Sequence, residues 1–250
     1  MFKEDENISK PCPRLLLLLY LELLYFFPLF FSGLLIYDII ETSLFRGIDM
    51  IETIYFGTYT RRLSQGIYQA DFDTETGQLS NLKLFATEPS PTYLAFDQKN
   101  HLYSVGSKDG QGGIAAYQTD GTLLNHVVEE GAPHCYVTVD EKRSLVYGAN
   151  YHKGQVLVYK RKEDGSLVLT DMDQHSGHGS HENQTSPHVH YTDLTPDQYL
   201  VTCDLGTDEV TSYHVTAEGK LSKIATYNCQ AGAGARHLVF HHHYKIAYLI

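Results

Sequence analysis

Two histidines stand two residues apart in the segment "PHVH", at His188 and His190. Side chains two residues apart on a β-strand point to the same face, so we expect both imidazoles on one side of a strand. A neutral imidazole is a suitable general base near pH 7. The alternative interpretation is a pair of strand histidines that only pack and form hydrogen bonds.

A cation stands beside a further histidine near the end of the chain, at Arg236 and His237. A guanidinium group can hold a phosphate or a carboxylate through two parallel hydrogen bonds. Few cations lie in the other strand-like segments, so Arg236 is the strongest single candidate for an anion contact. The alternative for Arg236 is an ion pair at the surface.

The segment "HSGHGSHENQTSPHVH" places His175, His178 and His181 at steps of three. Zinc sites need four protein ligands, or three with a water, on a fixed frame. A loop rich in Gly and Ser offers no such frame, and the "HHH" run at His241–His243 falls at a predicted hairpin turn. We therefore expect no metal and no other cofactor. A GxSxG nucleophile elbow, a glycine-rich phosphate loop and a CxxC pair are also absent from the sequence.

The elements that must position these residues recur along the chain. Short strand-like runs align on Tyr55, Tyr103, Tyr147, Thr202 and Tyr248, at steps of 48, 44, 55 and 46 residues. The runs are apolar and end in or near Gly, and segments such as "GQVLVYKR" alternate with the period of two that is typical of strands. A repeat of this length predicts one structural unit per repeat.

A second marker runs in phase with the first. "TGQL", "DGTL", "DGSL" and "EGKL" place Gly77, Gly121, Gly165 and Gly219 before a polar residue and Leu. Such turns favour Gly because it accepts a positive φ, so each marker predicts a hairpin. The longer third step predicts an insertion between Thr170 and Pro187.

Four strands per unit are typical of a propeller blade, whereas solenoid repeats usually contain a helix or are shorter. No amphipathic helical pattern of useful length follows Met50. The fold class predicted for residues 50–250 is all-β, a partial β-propeller of about four blades and one further strand. Because open sheet edges expose unpaired backbone, we expect the chain to be a fragment of a closed propeller.

Residues 1–49 form an atypical apolar N-terminal segment. Leu15–Ile40 holds only two charged residues and is long enough to cross a membrane, for which about 20 residues suffice. Three cations precede it, so an anchor would leave the N-terminus in the cytoplasm. The other hypothesis is upstream sequence translated from a misplaced start, with Met50 as the natural first residue.

Charge and cysteine content exclude some partners and compartments. The formal net charge of −11 argues against a nucleic-acid partner, which needs clustered Lys and Arg. Cys12, Cys135, Cys203 and Cys229 lie far apart, so we interpret them as reduced thiols in a cytoplasmic protein. A membrane is a partner only if Leu15–Ile40 is a real anchor, and the oligomeric state stays open.

Four segments resemble one known family. They are "FGTYT" at Phe56, "VTVDEKRSLVYGANYHKGQVLVY" from Val137, "SPHVHYTDLTPDQYLVTCDLGTDEVTSY" from Ser186 and "GARHLVFHHHYKIAYLI" from Gly234. Together they resemble the seven-bladed lactonases, which include bacterial 6-phosphogluconolactonases and fungal muconate-lactonising relatives. The resemblance covers residues 50–250 and implies about four of seven blades. Ala235 replaces the family's Pro, and the chain stops just before the family's Asn-Glu pair.

The resemblance implies hydrolysis of a sugar lactone, 6-phosphogluconolactone of the pentose phosphate pathway, by base-activated water in the central cleft. Asn150, Tyr151 and His152, after the third innermost strand, resemble the family's "ANYH" and are expected to contact sugar hydroxyls. The alternative for them is a loop that packs against the next blade. Asp204, in "DLG", is expected to orient a histidine or cap the strand turn. Arg236 and His237 are expected to begin the fifth innermost strand. The predicted catalytic residues are His188, His190, Arg236 and His237. The predicted substrate-binding residues are Tyr59, Tyr93, His134, Asn150, Tyr151, His152, Gln184 and Asp204.

Three other functions stay open at this point. A lactone-forming cycloisomerase would use the same cleft in the reverse direction. A propeller scaffold would bind a partner on its top face without chemistry, and a fragment of a split gene would have no function by itself. The histidines and Arg236 favour the two enzymes, because a scaffold has no need for them in a channel.

Overall fold

The structure of the chain, a computed structural model, describes residues 51–250. The hypotheses on residues 1–49, including the apolar segment Leu15–Ile40, and the interpretation of Cys12 lie outside the described residues. In the part of the chain that is described, no helix is long and apolar enough to cross a membrane.

Residues 51–250 form seventeen strands and no helix. In chain order the strands are β1 (Ile51–Phe56), β2 (Gly66–Asp73), β3 (Leu79–Thr87), β4 (Leu94–Phe96), β5 (Leu102–Lys108), β6 (Gln111–Tyr117), β7 (Leu123–Glu130), β8 (Tyr136–Asp140), β9 (Leu145–Asn150), β10 (Gln155–Arg161), β11 (Leu167–Gln174), β12 (Val189–Leu194), β13 (Leu200–Asp204), β14 (Glu209–Val215), β15 (Leu221–Asn228), β16 (Leu238–Phe240) and β17 (Ala247–Leu249).

Consecutive strands pair antiparallel in five sheets. The first sheet holds β1–β3, three four-stranded sheets hold β4–β7, β8–β11 and β12–β15, and the fifth holds β16–β17. Each four-stranded sheet is an up-and-down meander, which is the unit of a β-propeller blade. The prediction of an all-β partial propeller is confirmed.

The inner edge of the sheets is marked by aromatic rings that touch from one sheet to the next. The ring centroids of Tyr93 and Tyr136 lie 4.1 Å apart, those of Tyr136 and Tyr191 4.9 Å, and those of Tyr191 and His237 5.6 Å. These residues stand in or directly before β4, β8, β12 and β16, so the first strand of each of these sheets lies innermost.

Two expectations about the innermost strands are therefore wrong. The strand that ends in Asn150 is β9, the second strand of its sheet, and Tyr151 and His152 follow it. Neighbouring sheets cover the second strands on both faces, so every residue of β9 is buried, which explains the continuous apolar run in the sequence. Arg236 and His237 do not begin a strand, since β16 starts at Leu238.

The predicted hairpin turns are confirmed. Gly77, Gly121, Gly165 and Gly219 have φ values of 69°, 86°, 87° and 80°, and each stands between the last two strands of its sheet. A side chain at these positions would meet the steric penalty of the left-handed region. The predicted insertion is also present, because residues 175–188 form a long link between β11 and β12.

The apolar core lies between the sheets. One cluster joins the first and second sheets around Ile67 and Leu102, and another joins the second and third around Ile114 and Leu157. A larger cluster, which includes Tyr213, joins the third and fourth. Because full burial of a large apolar side chain contributes roughly 1.5–3 kcal/mol, these clusters fix the spacing of neighbouring sheets.

Candidate active site

A cavity of about 670 Å³ opens at one end of the sheets, and we call it the site cavity. The loop between β1 and β2 supplies Tyr59 and Arg61, and the turn between β9 and β10 supplies Tyr151 and His152. Leu205 lines it from the turn between β13 and β14. All three connections leave a strand at the same end of its sheet, so residues far apart in sequence meet there.

The links that lead into the innermost strands complete the lining. Ser90 and Thr92 precede β4, His134 and Cys135 precede β8, and Arg236 precedes β16. His190, near the start of β12, is the contribution of the fourth sheet. These links and β12 therefore bring two predicted histidines and a predicted arginine into the site cavity, namely His134, His190 and Arg236.

His190 carries a partly buried imidazole in the site cavity. Its ring centroid lies 4.9 Å from that of His237 and 6.1 Å from that of Tyr151. Nδ1 is buried and has no hydrogen-bond partner in the described residues. Burial, together with the charges of Arg236 and His237, lowers the pKa of His190 to about 4. The ring is therefore neutral at pH 7, and its lowered pKa makes it a weaker base than an ordinary imidazole in the absence of a ligand.

His134 forms a more deeply buried part of the lining, with 2% of its surface exposed. Nε2 lies 2.6 Å from the Tyr159 hydroxyl, whereas buried Nδ1 has no partner among the described residues. Burial, and secondarily the charge of Lys153, lowers the pKa of His134 to about 3. A base of that strength is a poor proton acceptor near pH 7, but the neutral ring can form a hydrogen bond with a ligand.

The lining of the site cavity is positive although the chain is acidic. Arg61 and Arg236 are its two guanidinium groups, and the described residues that line it include no carboxylate. Neither arginine forms an ion pair within the described residues. This observation argues against the alternative in which Arg236 only forms an ion pair at the surface. In a chain with a formal net charge of −11, this local arrangement is suited to an anionic ligand.

His188 does not line the site cavity, so the expectation that both histidines face it is wrong. β12 begins only at Val189, and its pairing with β13 is irregular at that point, so the alternation of a regular strand does not apply. The His188 ring instead stacks on Tyr151, with centroids 4.3 Å apart and planes 10° apart. His188 Nδ1 also lies 3.0 Å from the Tyr151 carbonyl oxygen. His188 therefore supports a side chain of the lining.

Asp204 is fully buried and lies behind the part of the lining that Tyr151 and His188 form or support. Its Oδ1 accepts hydrogen bonds from the backbone N–H groups of His188 at 2.7 Å, Gly206 at 2.9 Å and Thr207 at 3.2 Å. Its Oδ2 lies 2.8 Å from His175 Nδ1. The interpretation that Asp204 caps a turn and orients a histidine fits this geometry, whereas its assignment to substrate binding does not.

The histidine-rich link between β11 and β12 is held by its own hydrogen bonds. His175 is buried, and its Nε2 lies 2.8 Å from the Tyr213 hydroxyl. His181 Nδ1 accepts a hydrogen bond from the Asn183 N–H. Among the described residues, no three His, Cys, Asp or Glu side chains are grouped so that they could hold a metal ion.

Two other predicted residues organise loops around the site cavity. Gln184 is buried and donates to the Leu205 carbonyl at 2.9 Å and to Asp208 Oδ1 at 2.6 Å. Asn150 is buried and its Oδ1 accepts from the N–H groups of His152 and Lys153, each at 3.1 Å. Both side chains use their polar atoms within the protein and do not line the site cavity.

Tyr93 and His237 belong to the inner edge of the sheets. His237 lines a second cavity, of about 390 Å³, together with Tyr136, Tyr191 and Asp193. The Asp193 carboxylate there accepts from the Thr138 hydroxyl at 3.1 Å, and burial raises its pKa. His237 does not line the site cavity, but its ring lies next to the ring of His190, which does.

Six of the twelve predicted residues therefore line the site cavity. They are Tyr59, His134, Tyr151, His152, His190 and Arg236. Sequence reasoning missed Arg61, Ser90, Thr92, Ser107 and Cys135, which line it as well. A sequence feature that could have indicated Arg61 is its position directly after the segment "FGTYT". The strand β1 ends at Phe56 within that segment, so Arg61 lies in the loop that follows the strand.

Comparison with known proteins gives a consistent family. The model of the family described as lactonase, 7-bladed beta-propeller, matches residues 53–250. Over 204 residues the chain is 43% identical to a protein of Bacillus subtilis strain 168 named 6-phosphogluconolactonase, with 78% of this chain and 58% of that protein covered.

Solved structures agree with the family. A crystal structure of a protein from Lactobacillus plantarum is 52% identical with a TM-score of 0.78, covering 80% of this chain and 60% of that one. The periplasmic gluconolactonase of Pseudomonas aeruginosa is 28% identical with a TM-score of 0.72, covering 80% and 61%. The chain thus spans about 60% of the length of these relatives. The predicted resemblance is confirmed, and the chain belongs to the seven-bladed β-propeller lactonase family.

Proposed function

We propose that the site cavity hydrolyses a sugar lactone, with 6-phosphogluconolactone as the substrate and 6-phosphogluconate as the product, which is a step of the pentose phosphate pathway. The observation that supports this most strongly is the neutral His190 in the same lining as unpaired Arg236, with no carboxylate among the described lining residues. The substrate is anionic, and its hydrolysis needs a base and an oxyanion donor, which these two residues supply.

The proposed reaction starts with His190 as general base. His190 takes a proton from a water molecule, and the resulting hydroxide forms a bond to the lactone carbonyl carbon. The carbonyl oxygen becomes an oxyanion that accepts hydrogen bonds from the Arg236 guanidinium. The tetrahedral intermediate then breaks the ring C–O bond, and the protonated His190 returns the proton to the leaving alkoxide. The product is an open-chain hydroxy acid.

Substrate binding strengthens His190 as a base. The charge of Arg236 is one of the causes that lower the pKa of His190. The phosphate of a bound substrate adds negative charge to the site cavity, which opposes this effect, because a nearby negative charge raises the pKa of an imidazole. The pKa of His190 therefore moves toward neutral pH when substrate binds, which is where a general base is most effective.

The test is hydrolysis of 6-phosphogluconolactone by the full chain, followed by pH-stat against the spontaneous rate. We expect His190→Ala to lose kcat by at least about 100-fold, the usual contribution of a general base, with an unchanged melting temperature. His178→Ala is the matched control, because His178 is exposed and does not line the site cavity. A His190→Ala variant with wild-type kcat would remove His190 from the mechanism.

A further inference from the structure

We propose that Arg61, on the loop of residues 57–65, forms a phosphate subsite of the site cavity and makes the cavity selective for phosphorylated lactones. This proposal rests on the proposed lactone hydrolysis. It assigns separate roles to the two guanidinium groups of the lining, Arg61 for the phosphate and Arg236 for the carbonyl. Arg61 is thus a specificity-determining residue.

The two arginines come from the two ends of the described part of the propeller. Arg61 follows β1 of the first sheet, and Arg236 precedes β16 of the fifth. Three sheets lie between those two, and aromatic rings connect each sheet to the next in chain order. Arg61 and Arg236 therefore reach the site cavity from different sides. The lactone carbonyl and the phosphate ester of 6-phosphogluconolactone are separate groups on either side of the ring oxygen, so each can be held by its own arginine.

Arg61 is available for a ligand. It forms no ion pair among the described residues, and its guanidinium carbon lies 4.8 Å from the centroid of the Tyr59 ring. Stacking on an aromatic ring orients a guanidinium and leaves its N–H groups at the edge free to donate. Both side chains are exposed and stand at the rim, where a phosphate can keep part of its hydration.

The loop that carries Arg61 is fixed against the lining of the neighbouring sheet. The Ser90 N–H donates to the Thr60 hydroxyl at 3.1 Å, and the Thr60 N–H donates to the Ser90 hydroxyl at 3.3 Å. Ser90 has a φ of 47°, a conformation that costs free energy in a residue other than Gly and is concentrated at binding sites. A Cβ at Gly57 would lie 2.1 Å from the Pro91 carbonyl oxygen, so the two segments touch there.

Hydroxyl groups accompany Arg61 in the lining. Ser90 and Thr92 stand on the link before β4, and Ser107 stands near the end of β5. A phosphate carries about −1.5 to −2 charges at pH 7 and three acceptor oxygens, so it binds most strongly to a guanidinium with added neutral donors. The described lining offers this set on the side of the first two sheets.

The test compares Arg61→Ala with Arg62→Ala in the full chain. Arg62 is the matched control, because it is also an exposed loop arginine but does not line the site cavity. For 6-phosphogluconolactone we expect Arg61→Ala to raise KM by about 10- to 100-fold, as for loss of a charge-assisted contact, with kcat unchanged. For glucono-δ-lactone, which has no phosphate, both variants keep the wild-type KM. An equal rise of KM for both lactones would overturn the proposal.

Binding of inorganic phosphate by isothermal titration calorimetry separates this proposal from the proposed function. If the full chain hydrolyses neither lactone, the proposed function fails, but the subsite is still tested by phosphate. Weaker phosphate binding in Arg61→Ala than in Arg62→Ala supports the subsite. Equal phosphate affinity in wild type, Arg61→Ala and Arg62→Ala would overturn it, whatever the activity.

Discussion

His190 is held neutral by its surroundings, and this has a consequence for the pH dependence of activity. Its pKa of about 4 is caused first by burial and then by the charges of Arg236 and His237. For a base with a lowered pKa, the active unprotonated form persists to lower pH than in an ordinary histidine, whose pKa is about 6.5. Under the proposed mechanism, the protein without substrate therefore keeps its base over a wide acidic range.

We expect kcat/KM to stay level from about pH 7 to about pH 5 and to fall only as pH approaches about 4, because kcat/KM reports the pKa values of the free enzyme. As the pH is lowered, kcat is expected to begin to fall at a higher pH than kcat/KM does, since bound anionic substrate raises the pKa of His190. Initial rates corrected for spontaneous hydrolysis give both profiles. If kcat/KM instead falls on the acid side with a midpoint near pH 6.5, the ordinary pKa of histidine, the result would contradict a His190 with a lowered pKa as the base.

Residue type and position are enough to predict that His190 and Arg236 line the cavity, and the structure places both side chains there. Their roles in catalysis stay predictions. Arg61 could not be found this way. It stands beside Arg62 in a polar loop, and nothing in the sequence distinguishes a cation that faces a cavity from one that faces water. The prediction for His188 is wrong, because a spacing of two places side chains on one face only inside a regular strand, and β12 begins at Val189.

At the scale of elements, the turn after β13 determines how one wall of the site cavity is built. Asp204 ends β13, and its carboxylate joins this turn to the link that precedes β12. Through the backbone of His188 it also supports the ring that stacks on Tyr151. One buried carboxylate therefore connects a turn, a link and a side chain of the lining.

We expect Asp204→Ala to lower the free energy of unfolding by about 2–4 kcal/mol, because it leaves three backbone N–H groups and His175 Nδ1 without their acceptor. Urea unfolding followed by circular dichroism measures the loss. Asp197→Ala is the control, since Asp197 is an exposed residue of the preceding turn, between β12 and β13, and we expect it to change the free energy by less than about 0.5 kcal/mol. Equal losses in the two variants would show that the buried network does not stabilise the turn.

The repeat in the sequence predicts the number of units and the position of the turns, because Gly at positive φ and strand alternation are local properties. It does not predict which strand is innermost. β9 gives the stronger apolar signal since it is covered on both faces, whereas innermost β4 and β16 are only three residues long. Which strand lies innermost depends on contacts between sheets. These contacts join residues that are far apart in the sequence, so no single segment predicts them.

At the scale of the whole molecule, the described propeller is stabilised by the contacts between neighbouring sheets, since its apolar residues form separate clusters and not one continuous core. We call each such interface between two sheets a seam. Besides the apolar clusters, ion pairs cross the seams. Arg161, at the end of β10, lies 2.8 Å from Asp97 of the second sheet's β4–β5 turn and 2.6 Å from Glu141. Asp97 is 5% exposed, so its charge depends on partners within the protein.

Arg161→Met tests whether this seam stabilises the fold. The substitution keeps an unbranched apolar chain but leaves the Asp97 carboxylate with His101 as its nearest remaining side-chain partner, at 2.8 Å. Removal of one partner of a buried pair usually costs about 3–5 kcal/mol, and the remaining hydrogen bonds to Asp97 place our expectation at about 2–4 kcal/mol. Lys162→Met, at an exposed neighbouring position, is expected to change the free energy of unfolding by less than about 0.5 kcal/mol.

A double-mutant cycle identifies the cause of that loss. In an Asp97→Asn background the buried charge is gone, so Arg161→Met should cost less than in the wild type, with an interaction free energy of at least about 1 kcal/mol. If Arg161→Met costs the same in both backgrounds, the seam is held by the aliphatic part of Arg161 and by Glu141, and Asp97 has no share in it. Coupling between the two substitutions would instead show that the Arg161–Asp97 ion pair between the second and third sheets contributes to stability, beyond what His101 and Glu141 contribute within their own sheets.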